Sequence, residues 1–72
     1  MTVDGNAIKI KMMEDGINTH ARLAELSGVN VATIGNTING KYVPNAATMI
    51  KIANALNMTP EEMGKAFFGG AE

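Results

Sequence analysis

The sequence contains no cysteine and no tryptophan, and its aromatic content is one tyrosine and two phenylalanines. Without cysteine there is no disulfide framework, and a reducing compartment is the natural setting. His20 is the only histidine, so with thiolates missing as well no soft-ligand metal cluster can be assembled, and no cofactor is expected. Long apolar runs are missing too. Nothing approaches the roughly 18 residues that span a bilayer, and the N-terminus lacks the signal-peptide order. A cytoplasmic chain without a membrane partner is expected. Positive charge is scarce, with six Lys and Arg against seven Asp and Glu for a net charge of −1. Nucleic-acid binders usually carry a positive face. Any such affinity here has to come from the local placement of Lys9, Lys11, Arg22, Lys41, Lys51 and Lys65, and should be modest.

What is present is a small folding unit. At 72 residues the chain has room for one domain with a small core, and 46% hydrophobic against 18% charged residues argues for a folded chain over a disordered one. There are no internal repeats and no linker. Residues 1–5 show no periodicity and read as a flexible arm, 6–68 as the domain, and 69–72 as a flexible tail. A first helix is expected over 6–15, with Ile8 and Met12 one turn apart, Met13 beside them and Gly16 as the stop. Thr19 caps a second helix whose core face is Leu23, Ala24 and Leu26. A fourth begins near Asn45, with Met49, Ile52, Ala53 and Leu56 at helical spacing and Asn57 as its left-handed end. Thr59-Pro60-Glu61-Glu62 spells a helix start in full: cap, proline at the first position, and Glu62 closing the capping box. That fifth helix ends in Phe67-Phe68.

Residues 27–44, SGVNVATIGNTINGKYVP, hold the middle together. Gly28 can take the left-handed conformation that closes the second helix, and Asn30 is a good N-cap. Residues 31–38 form about two turns, stopped by Asn39-Gly40. Two short helices joined by a glycine-containing turn make a helix-turn-helix, whose second helix can enter a DNA major groove. Val29 plugs the turn.

These residues resemble the phage Cro/repressor-type (XRE-like) helix-turn-helix proteins. The resemblance lies in Leu23-Ala24-Glu25, Gly28-Val29, Thr33-Ile34 and Asn39-Gly40-Lys41 with Pro44. Downstream it continues in Ile50-Lys51-Ile52-Ala53-Asn54-Ala55-Leu56 and Thr59-Pro60-Glu61-Glu62-Met63, so that it covers roughly residues 6–68. It implies an all-α, five-helix, lambda-repressor-like domain with helices 2 and 3 as the helix-turn-helix. The implied function is transcription regulation by a homodimer on a pseudo-palindromic DNA operator. The connector Ile17-Asn18 is one residue longer than the family's commonest form.

By the same resemblance, Asn30, Val31, Ala32, Thr33 and Asn36 face the groove. Asn36 suits the adenine N6/N7 edge, Thr33 a phosphate or base edge, and Val31 and Ala32 the thymine methyl. Val31 is open between groove and core, since Val31, Ile34 and Ile38 also form an i, i+3, i+7 stripe. Lys41 and Tyr42 fall where the family meets the sugar-phosphate backbone, with Asn39, Gly40 and Thr19 as further donors. His20 stands where the family often has a phosphate-reaching glutamine. Gly35, inside the third helix, costs roughly 1 kcal/mol relative to alanine, which a close backbone approach by DNA or by helix 2 would rationalise.

Catalysis finds no support. Glu61 and Glu62 are explained by the capping box, and adjacent helical residues point about 100° apart. Ser27 and His20 lack a third member, and no glycine-rich phosphate loop is present. The helix-turn-helix departs from the family in having no Arg, Lys or Gln on its second helix. That leaves a second class open, a protein-binding module acting on another repressor as an antirepressor or antitoxin-like partner. Its contacts would come from the six methionines and from Phe67-Phe68, and Phe67 and Phe68 are also the candidates for the dimer surface. Many members also tie helix 1 to helix 3 by an arginine–glutamate pair. Here those positions correspond to Met12 and Ile38, expected to be buried together.

Overall fold

A computed structural model describes residues 3–68 as five helices: α1 (Gly5–Glu14), α2 (His20–Ser27), α3 (Val31–Ile38), α4 (Ala46–Ala55) and α5 (Pro60–Phe68). Each start has a local chemical cause. Asp4, Thr19, Asn30 and Asn45 all accept backbone N–H groups of the following turn with their side-chain oxygens. At α5 the capping box is complete. The Thr59 N–H donates to Glu62 Oε1 at 2.9 Å, and the Glu62 N–H donates to Thr59 Oγ1 at 3.1 Å. That backbone donor, helped by the Lys11 ammonium, holds the Glu62 carboxyl below its ordinary pKa.

The ends are as well defined. Gly16, Gly40 and Asn57 have φ of 72°, 76° and 55°, and each is followed by a residue whose N–H reaches five residues back. The donors are Ile17 to Met12 O, Lys41 to Asn36 O, and Met58 to Ala53 O. This is the Schellman arrangement, which satisfies carbonyls that the helix itself leaves open.

Packing joins α1 to α3 and α5, α2 to α3 and α4, and α4 to α5. Ile8, Met12, Ile17, Leu23, Ile34, Ile38, Met49, Ile52, Leu56 and Phe67 form one cluster at the centre. Met12 and Ile38, where the family's ion pair is expected, are both buried in it. Apolar burial there removes the desolvation cost that a charged pair would carry.

Several expectations are corrected. Residues 3–5 are not an arm: Val3 packs against the core, Asp4 caps α1, and the Asp4 N–H donates to the Ala66 carbonyl at 2.6 Å. Gly5 belongs to the same packing. A Cβ there would overlap the Ile38 carbonyl oxygen, so only glycine lets the start of α1 approach the end of α3. Leu26 is exposed, because the buried side of α2 is centred on Leu23, Ser27 and Ala24 and Leu26 lies about 60° beyond Leu23. Phe67 is fully buried and belongs to the core, leaving Phe68 alone exposed. Met13 likewise faces solvent beside buried Met12. The expected arm's first two residues and the tail 69–72 lie outside the described residues. Among the described residues no helix is long and apolar enough to cross a membrane.

Candidate nucleic-acid interface

The α2–α3 connection is built from short-range bonds. Gly28, at φ 74°, donates its N–H to the Ala24 carbonyl at 2.9 Å and ends α2. The Ser27 hydroxyl accepts the Val29 N–H at 3.2 Å, and Val29 packs on the core from below. Asn30 then restarts the chain as a helix by accepting the Ala32 N–H at 2.8 Å. Glycine, serine and asparagine thereby supply the short-range bonds that make the reversal.

With 100° between successive residues, α3 divides into two arcs. Ile34, Thr37 and Ile38 occupy the buried one. Val31, Ala32 and Asn36 occupy the exposed one, with Gly35 between them in angle and Thr33 half-buried at the boundary. Val31 is thus on the solvent side, 47% exposed, and the apolar stripe that suggested a core role continues only through Ile34 and Ile38. Asn30 and Asn39 are exposed at the two ends of α3.

Thr19 is exposed and engaged as the α2 cap, accepting the Arg22 N–H at 3.0 Å. His20 is half-buried, and its Nδ1 is the nearest atom to where a Gly35 Cβ would be, at 3.6 Å. Neither helix backbone crowds Gly35, so the glycine is not required by packing within the chain. The imidazole therefore flanks the exposed arc of α3. Lys41 and Tyr42 are exposed just past the helix, and the bond from the Lys41 N–H to Asn36 O at 2.9 Å fixes where the lysine leaves the chain. All of the residues singled out in the sequence thus fall on α3, its two ends or the first turn of α2.

The charges add a feature that composition hides. Residues 26–60 contain no Asp or Glu, while Lys41 and Lys51 lie within them, exposed and without an ion-pair partner among the described residues. The acids sit before and after. Glu14 and Glu62 both meet Lys11, at 3.6 Å and 4.0 Å, and Glu25 holds Arg22 at 2.9 Å. A count of charge by segment, instead of over the whole chain, would have revealed Lys51 and the locally positive middle.

A family model, helix-turn-helix, matches residues 11–63. A comparison with curated proteins and one with solved structures each find no match. The matched span runs from within α1 through the capped turn and α3 into α5, and the family is one of DNA-binding regulatory domains, not of enzymes. With the geometry of α2, Gly28 and α3 already in place, the chain belongs to the XRE-type helix-turn-helix family.

Proposed function

We propose that the protein is a sequence-specific transcription regulator of the Cro/repressor type, with α3 entering the major groove of a pseudo-palindromic operator. The exposed arc of α3 carries this reading: a helix whose opposite arc is sealed in the core, presented beyond a rigid turn, with no acid near it in sequence. Asn30, Val31, Ala32, Thr33 and Asn36 face the bases. Thr19, His20, Asn39, Lys41 and Tyr42 meet the phosphate backbone. One helix reads half a site, so a homodimer with its two α3 helices roughly 34 Å apart completes the recognition. Phe68, exposed at the end of α5, is the remaining aromatic candidate for the dimer contact.

The test is a gel-shift titration against promoter fragments from the protein's own locus at two salt concentrations. With few cations available, about three or four phosphates are neutralised per subunit, and each contributes about −0.9 to the slope of log affinity against log salt. A shallow but real salt slope supports the reading. Binding that ignores salt, or no shift on any fragment, sinks it.

A second reading draws on a different surface. Ile10 and Met13, one turn apart on α1, are 56% and 77% exposed, and Ile10 with Ala7 and Met58 floors an open groove between α1 and α5. A protein-binding module acting on another repressor would use these apolar groups in the absence of DNA. Such a complex would persist at high salt, because desolvated apolar contacts are not screened. A purified repressor from the same locus that never co-elutes with the chain removes this alternative.

A further inference from the structure

We propose that each half-site has an A·T core, and that thymine 5-methyl groups rather than guanine edges supply most of its discrimination. This rests on the reading of α3 as the groove helix. Around the exposed arc the order in angle is Val31, Gly35, Ala32, Asn36. No cation stands among them. Guanine is read above all by Arg or Lys forking onto O6 and N7. The chain's one arginine, Arg22, lies on α2 and pairs with Glu25 at 2.9 Å, and Lys41 leaves the chain beyond the helix end.

What the arc does offer is two aliphatic side chains and one amide. Val31 and Ala32 are at the first turn, the end of a recognition helix that meets base edges. They have nothing to donate or accept. The apolar group that the major groove displays is the C5 methyl of thymine, and the partner of that thymine presents the N6/N7 pair that an asparagine amide such as Asn36 fits. Gly35 deepens the contact. It leaves no side chain of its own between Val31 and Ala32, and the nearest atom to the missing Cβ is His20 Nδ1 at 3.6 Å, so no methyl holds the helix away from the groove there. A G·C pair facing Val31 and Ala32 would lose water from O6, N7 or N4 with no methyl contact to offset it.

The experiment selects binding duplexes with the full chain from a random 20-base-pair library. It then remakes the selected site with deoxyuridine in place of each core thymine in turn. The expected selected core is A·T, and loss of a contacted methyl weakens binding about fourfold, the worth of one buried carbon. Val31→Ala, an exposed position that leaves the fold intact, should bind the thymine site more weakly and shrink the thymine-to-uracil ratio at its own position toward one. A selected core rich in G·C, or equal binding of thymine and uracil sites, overturns the inference while leaving DNA reading by α3 standing. Failure to enrich any sequence overturns both.

Discussion

On one side of α3, Ile34, Thr37 and Ile38 are closed off by the core they share with α1 and α2, and on the other Val31, Ala32 and Asn36 meet solvent. The two sides answer to different constraints within eight residues. The buried arc has to match the volume and polarity of neighbours already present, and the exposed arc is free of them. Changes on the first should therefore alter stability without altering base preference, and changes on the second the reverse. The contrast can be broken or sharpened by substitution.

Ile38→Glu makes the harshest test. It places a carboxylate in the core where the expected arginine partner is Met12, and should cost about 3 kcal/mol or more. Chemical denaturation measures it, and a wild-type midpoint would mean that Ile38 is not committed to the core.

Gly5→Ala attacks the same arc from behind, by pushing a methyl onto the Ile38 carbonyl. Because the obstacle is backbone, a loss of about 1–3 kcal/mol is expected in a thermal or denaturant melt. An unchanged melt would show that α1 can slide away from α3.

On the exposed arc, Asn36→Ala should lower specific DNA binding by about 1–3 kcal/mol and relax one base position, with an unchanged melting curve. Lys41→Ala should weaken all duplexes alike. A reversal of these two profiles, read by competition with mutated sites, would exchange their roles.

Thr37→Val returns to the buried arc and should go the other way. Thr37 Oγ1 is buried with no hydrogen-bond partner among the described residues, so removing the hydroxyl at nearly constant shape should stabilise by about 1 kcal/mol. A destabilised Thr37→Val protein would imply that the hydroxyl has a partner in solution.

The smallest effect expected lies outside α3 and serves as its control. The Glu62 carboxyl is held below its ordinary pKa of 4.5. Its contribution to stability is therefore complete above that value, and it fades as pH falls through the lowered one. Glu62→Gln should flatten the acid limb of the stability profile slightly, leaving DNA binding at neutral pH unchanged.

How much of this was legible beforehand follows the range of the forces involved. Asn30, Gly28, Asn57 and the Thr59–Glu62 box act on groups within a few residues, and their roles could be read from adjacent letters. Leu23, Met49, Ile52 and Leu56 were equally clear, because helical spacing gathers them on one face. Leu26 and Val31 were not, since each stands near the border of an apolar stripe, and Phe67 was paired with Phe68 although adjacent helical residues point about 100° apart. Which way such a residue turns depends on where another helix lies. Gly5 was invisible for a related reason: the atom it makes room for is a carbonyl more than thirty positions away. The exposed arc was legible as a set of candidates only by resemblance, and its chemistry became distinct once the buried residues had been subtracted.

The hydrogen bond from the Asp4 N–H to the Ala66 carbonyl has a topological consequence. It brings the entry and the exit of the helical domain to the same point, so the path of the chain is very nearly a closed ring. A ring of this kind can be opened elsewhere and joined across its old ends with a short linker. The exposed residues Lys41, Tyr42 and Val43, which lie outside any helix, are a place to open it. For the same reason the domain is suited to being carried as an insert, grafted into the loop of a host protein with both junctions on one spot.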